Sequence, residues 1–233
     1  LDELLQQFWS QEEGTTQTSI LSPEEQDCEA HFQATHRRDS SGRYIVRLPF
    51  KRSPNELGNS RKAAERMVVK MLQKFDSNPQ FFQLYSNFLK EYATLGHMVP
   101  ASQATNTAAE YFLPHHGVLR DSSTTTKLRV VFNGSCKTSS GISLNDILHT
   151  GPKLQLEISD VISRWRQYRF VFSADIEKMF RQVMVNPRDW TYQQILWPPS
   201  TSSSLIPYHL TTVTYGLGPA PYLSNRVLKQ LAI

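Results

Sequence analysis

Apolar residues recur along this chain with two different spacings, and the switches between them map its elements. From 61 to 95 the spacing is helical. Ala64, Met67, Val68, Met71, Leu72 and Phe75 form one stripe, and Phe81, Leu84, Tyr85, Phe88, Leu89 and Tyr92 form a second, with Gly96 placed to end it. Two such helices bury their stripes by packing antiparallel. Further upstream, Leu1, Leu4, Leu5, Phe8 and Trp9 predict a short amphipathic helix, and 10–19 (SQEEGTTQTS) reads as a polar linker. Ser22-Pro23-Glu24-Glu25 then reads as the N-cap and first turn of a helix running toward Thr35. Tyr44, Val46 and Leu48 alternate as a strand that Pro49 ends. The pieces before 57 are expected to be accessory to the core.

Beyond Tyr111 the period falls to two. Stretches 111–119 and 127–132 predict a β-hairpin around the polar tip 121–126, DSSTTT. His115 and His116 fall on opposite faces of its first strand and so do not share a metal. The segment 141–151 reads as a loop with Asn145-Asp146 as a turn or cap. Leu154, Ile158, Val161, Ile162 and Trp165 predict another amphipathic helix. Strands are expected at 192–197 and 208–214, separated from what precedes by a turn at Asn186-Pro187-Arg188-Asp189. Gly216 and Gly218 let the backbone approach a neighbour closely, and Pro219 and Pro221 open a helix carrying Leu223, Val227, Leu228 and Leu231.

The period changes most abruptly inside Phe170–Val183. Phe170, Phe172 and Ala174 alternate as a strand, and Ile176, Met179, Phe180 and Val183 then fall on one helical face. Asp175 stands at the join. A carboxylate held at the end of a buried strand suits a metal ligand, and it equally suits a plain helix cap.

Composition narrows the classes. No apolar run reaches the roughly 20 residues that cross a bilayer, and the first residues are acidic and polar rather than a signal peptide. The net charge of +4 is unevenly spread: residues 1–29 carry eight acids and no Lys or Arg, whereas 30–233 carry 25 bases against 13 acids, or +12. So basic a body suits a polyanionic partner. Cys28 and Cys136 are too few and too far apart for a disulfide framework, which points to a reducing, intracellular setting. Cys28, His31 and His36 have metal-like spacing but lack a fourth ligand. Arg120, Lys127 and Arg129 border the hairpin tip, where they suit a phosphate-bearing ligand or an ordinary solvated surface.

Three ordered stretches resemble the motifs of a reverse transcriptase: Lys127-Leu128-Arg129-Val130-Val131-Phe132, Ala174-Asp175-Ile176-Glu177-Lys178-Met179-Phe180, and Thr212-Val213-Thr214-Tyr215-Gly216 with Ala220-Pro221. Leu1–Leu5 with Phe8-Trp9, Arg43–Phe50, Leu113-Pro114-His115-His116 and Ser143-Leu144-Asn145-Asp146 narrow the resemblance to the polymerase of BEL/Pao-type long-terminal-repeat retrotransposons. The resemblance implies an α+β fold, the fingers and a truncated palm of a right-hand polymerase with an N-terminal helical extension. It divides the chain into an N-terminal region 1–56, a fingers-like region 57–169 and a partial palm 170–233.

The same resemblance assigns roles. Asp175 and the backbone carbonyl of Ile176 would bind Mg2+, and Arg129 would grip triphosphate oxygens. Phe180 would be the aromatic gate against a ribose 2′-hydroxyl, a role no better founded than that of a core aromatic. Tyr215 and Gly216 would contact the nascent base pair, and Lys127 and Arg120 would touch nucleic acid. Relatives carry an acid where Asn133 stands and a small polar residue where Pro219 stands. The family's Tyr-x-Asp-Asp hairpin is absent, and no two Asp residues are adjacent anywhere. With Leu1 at its start and Ile233 inside a helical pattern, the chain is expected to be a piece of a longer Pol polyprotein, inactive alone. Its expected partners are template–primer, deoxynucleoside triphosphates and the remaining Pol segments. The alternative is a co-opted remnant that binds nucleic acid without polymerising.

Overall fold

The computed structural model describes residues 21–101, 109–120, 127–199 and 203–232. The helix and linker expected over 1–19 and the hairpin tip at 121–126 lie outside the described residues.

Helix α1 (Pro23–Thr35) begins as its sequence dictates. The Ser22 hydroxyl accepts the Glu25 N–H, the Glu25 carboxylate accepts the Ser22 N–H at 2.8 Å, and proline fills the first helical position. The two long stripes become α2 (Arg61–Ser77) and α3 (Pro79–Thr94). Asn78 serves both: it ends α2, and its side chain accepts the Phe81 N–H at 2.9 Å to open α3. Ala64, Val68, Met71 and Phe75 of α2 and Phe81, Tyr85, Leu89 and Tyr92 of α3 are the buried members of the stripes. Gly96 follows at φ +69°, the left-handed conformation that ends a helix most readily without a Cβ.

Among the described residues eight strands form small sheets: β1 (Arg37–Arg38), β2 (Tyr44–Val46), β3 (Met98–Pro100), β4 (His115–Leu119), β5 (Leu128–Phe132), β6 (Met184–Val185), β7 (Gln194–Trp197) and β8 (Ile206–Leu210). One sheet runs β1-β2-β6, with β2 and β6 parallel, and a second runs β3-β8-β7, all antiparallel. β4 and β5 are the expected hairpin, pairing His115 with Phe132 and Leu119 with Leu128. The Arg120 N–H donates to the Lys127 carbonyl at 2.9 Å and extends the pairing past the strand ends. His115 is buried and His116 exposed, as the alternation requires. Short helices α4 (Leu144–Ile147) and α5 (Ile158–Trp165) precede the central stretch, and α6 (Ala220–Leu231) closes the chain.

A single apolar cluster gathers Phe32, Val46, Met71, Tyr85, Val130, Val185, Ile195 and Val227 from every part of the described chain. The stretch before 57, expected as accessory, contributes to it directly. All three residues of β2 are buried, not alternate ones, because the α1–β1 side covers its outer face: His36 stacks over Tyr44 and the Arg38 guanidinium sits 4.5 Å from that ring's centroid. The N-terminal half also reaches across by charge. Asp189, 1% exposed, takes two hydrogen bonds from Arg47 at 2.7 and 2.8 Å and the Leu48 N–H at 2.9 Å. Glu29 of α1 accepts from Arg226 and Tyr222 of α6.

The stretch Phe170–Val183 departs from expectation. Phe170–Ala174 lies outside any ladder, with Phe170 72% and Phe172 92% exposed. The helix expected from Ile176 is only a single 3-10 turn, Met179–Gln182, because Lys178 takes the left-handed conformation (φ 54°) and interrupts the helical path. Helix α5 forms, but Ile158, Ile162 and Trp165 of its stripe face solvent. An alternating segment becomes a strand only when another strand lies beside it, and no described strand does.

Candidate functional site

The hairpin and the Tyr215-Gly216 turn meet, and the reason lies in a glycine. Gly216 adopts φ +96°, and a Cβ built there would stand 2.0 Å from the Phe132 carbonyl oxygen of β5. Only a residue without a side chain lets these backbones touch. The Tyr215 ring lies against Phe132, with centroids 5.2 Å apart. Asn145 holds the turn from the other side: its Nδ2 donates to the Gly216 carbonyl at 3.1 Å and to Ser135 Oγ at 2.8 Å, and its Oδ1 accepts the Gly218 N–H at 2.9 Å. Ser143 and Asp146 form a capping box around α4 that fixes Asn145, while Lys137 pairs with Asp146.

Charge converges on the Tyr215 phenol. Burial raises its pKa against the lowering pull of a hydrogen bond to Tyr92 and the charges of Arg181 and Arg129, so the phenol is neutral at ordinary pH. Arg129 occupies the exposed face of β5 between buried Leu128 and Val130. Arg181 belongs to the 3-10 turn after Asp175 and is largely buried. Its guanidinium lies 4.6 Å from the Tyr92 ring centroid, and its Nη2 donates to Glu91 Oε1 at 2.8 Å. Lys178 Nζ reaches the same oxygen at 3.2 Å. Burial pushes the Glu91 carboxyl up, and its bonds to Arg181 and Lys178 outweigh that, leaving it below the usual carboxylate range. From β2's side Arg43 donates to the Gln182 carbonyl at 2.9 Å and to the Arg181 carbonyl at 2.5 Å. The turn is therefore pinned on α3 by charge and on β2 by backbone capture. Burial, aided by Arg181 and Arg43, also pushes the neighbouring His97 imidazole down to about 4.

The strand that carries Arg129 and the Tyr215-Gly216 turn are thus packed together through Phe132, which brings two of the three sequence motifs side by side. Asp175 does not join them through any bond. It is exposed and makes no hydrogen bond or ion pair among the described residues, so it caps no helix. Ile176 borders an apolar groove with Met179, Val183, Val227 and Leu228. Phe180 is half-buried and packs on the main apolar cluster. Arg120 and Lys127 are exposed at the hairpin's outer end. Among the described residues no three His, Cys, Asp or Glu side chains are grouped to hold a metal, and Cys28 is buried in the core instead. Burial pushes that thiol up to about 12. Asp175 and the Ile176 carbonyl are too few oxygens for two magnesium ions, each of which takes several oxygen ligands in near-octahedral geometry.

Three contributors were not picked out as site residues from sequence. Glu91 and Arg181 sit on apolar-striped segments where charges ordinarily face solvent, and only the fold pairs them. Asn145 carries a signal in the Ser-Leu-Asn-Asp stretch, which reads as a turn or cap and as part of the family resemblance without a role for Asn145 itself. Set against known proteins, the chain matches no family model and no curated protein.

Proposed function

We propose that this chain is the fingers and part of the palm of an RNA-directed DNA polymerase from a BEL/Pao-type retroelement polyprotein, incomplete for catalysis by itself. The observation that carries the reading is the close packing of the Tyr215-Gly216 turn on Phe132 of the hairpin strand that bears Arg129, residues from motifs more than 80 positions apart, beside the turn that follows Asp175. A planar guanidinium on the exposed face of that strand suits the phosphates of a nucleotide. In this reading Arg129 binds triphosphate oxygens, Tyr215 and Gly216 support the nascent pair, and Phe180 closes the sugar side. Asp175 with the Ile176 carbonyl offers the first oxygens to magnesium. When bound, the ions neutralise charge on the entering and leaving oxygens of an in-line displacement. The described residues lack the remaining carboxylates, so no catalytic step is assigned to this chain alone.

A second reading, a remnant that binds nucleic acid without polymerising, draws on the +12 charge of residues 30–233 and on the isolation of Asp175. Both readings predict salt-sensitive binding of an RNA–DNA template–primer; they part over catalysis. Fluorescence anisotropy at several salt concentrations tests the shared claim. The logarithm of affinity should fall linearly with the logarithm of salt, and Arg129→Ala should reduce the slope by about one. Affinity unchanged between low and high salt would remove the basis for both.

A further inference from the structure

Helix α2 carries a basic row that the fold leaves uncompensated. Lys62, Arg66, Lys70 and Lys74 recur every four residues, and all four are exposed. None makes an ion pair among the described residues, and Arg66 spends only its Nε, on the Lys62 carbonyl at 3.3 Å. The helix's two acids do not offset the row. Arg61 holds Glu65 at 2.8 Å, and Asp76 follows Lys74 by two positions, which turns it to another side of the helix. Such a row works against the helix. Like charges four residues apart repel, and a first turn with Arg61, Lys62 and no acid opposes the macrodipole. Solvated helix faces ordinarily alternate the two signs. The inner stripe meanwhile fixes the row in place: Ala64 and Val68 bury against Phe112 and Leu196, and Met71 and Phe75 enter the main cluster.

We infer that this row is a docking surface for the sugar–phosphate backbone of a nucleic-acid duplex, adding to the bases of the β4–β5 hairpin. It deepens, and rests on, the nucleic-acid binding common to both readings above. Each step of four residues advances about 6 Å along the helix axis, and the whole row about 18 Å. Phosphates of one strand recur about every 3.4 Å of duplex axis, so the row meets about every second phosphate over a run of about five. The three lysines bring point charges and Arg66 a planar donor fork. That even spacing matches an evenly charged strand better than the irregular carboxylates of an acidic polypeptide. A shallow groove beside the row, lined by Lys62, Arg66 and Lys70 with Glu65, Val69 and Gln73, holds no aromatic side chain. Single strands bind on aromatic platforms that stack their bases, so a face offering charge alone suits a duplex, whose bases are already stacked. Phosphate contacts of this kind position the protein without reading sequence.

Fluorescence anisotropy of a blunt RNA–DNA hybrid duplex over a salt series tests this on the 233-residue chain. Lys62→Gln, Arg66→Gln, Lys70→Gln and Lys74→Gln together should flatten the slope of log affinity against log salt by about 3–4. Raising salt from about 50 to 200 mM then weakens this variant about a hundredfold less than the parent. Arg164→Gln, Arg166→Gln, Arg169→Gln and Lys229→Gln remove four exposed bases elsewhere, leave the same net charge, and should change the slope by less than about one. The row variant should melt no lower than the parent, because glutamine is a good helix former and the repulsion is gone. Lys62→Arg, Lys70→Arg and Lys74→Arg together keep the charge and should bind as the parent does. A row variant as salt-sensitive as the parent overturns the inference and leaves the proposed function standing, whereas a parent whose affinity ignores salt overturns both. Equal flattening by the second set of four, or tighter binding of oligo(dT) or poly-L-glutamate than of the hybrid, overturns the inference as well.

Discussion

Lowering the pH from 7 to 5 should destabilise this protein mainly through buried histidines, and His115 carries the largest testable share. It is fully buried on β4. Its Nε2–H donates to the Leu196 carbonyl at 3.0 Å, which leaves Nδ1 to accept the Tyr85 hydroxyl hydrogen. The neutral ring is therefore satisfied at both nitrogens, and burial pushes its pKa down to about 4 from the ordinary 6.5. The unfolded state binds the proton first as pH falls, so stability is complete above about 6.5 and is lost progressively toward 4. With those two values the loss between pH 7 and pH 5 is about 2 kcal/mol for this one residue. Urea unfolding at pH 7, 6 and 5 measures it. His115→Asn lowers stability at pH 7, and its stability should fall about 2 kcal/mol less over this interval than that of the unsubstituted protein. An equal fall in both proteins would refute the assignment. His97, held near 4 by burial with Arg181 and Arg43 beside it, adds a contribution of the same sign.

Other outcomes follow from single contacts. Asp189→Ala leaves Arg47 and the Leu48 N–H without their buried acceptor and should cost about 3–5 kcal/mol in urea unfolding, far more than any exposed ion pair such as Lys153–Glu157. Gly216→Ala combines a left-handed backbone with a clash against the Phe132 carbonyl, so it should cost about 1–3 kcal/mol and weaken template–primer binding in the same anisotropy assay.

Much of this architecture can be read from the chain because local rules and tertiary packing agree. The α2 and α3 stripes, the Ser22 capping box, the Asn78 junction and the β4–β5 alternation each specify their element through neighbours within a few residues. Phe170–Ala174 shows the limit. Its alternation is as regular as that of β5, yet a strand is a property of two segments, and the described residues supply only one. The helix expected after it failed at Lys178, where no Gly or Pro warns of a left-handed residue. The site divides in the same way. Gly216 is legible because only glycine permits its approach to Phe132, and Arg129 because strand alternation exposes it. The Glu91–Arg181–Lys178 network joins residues 87 to 90 positions apart and becomes visible only once the chain has folded.

Primer extension on an RNA template with magnesium tests the central claim most directly. It compares the 233-residue chain, a longer form carrying the Tyr-x-Asp-Asp hairpin and thumb, and that longer form with Asp175→Asn. The account predicts extension by the unsubstituted longer form only. No extension by the longer form when it is folded and bound to template–primer, or extension that survives Asp175→Asn, would contradict it.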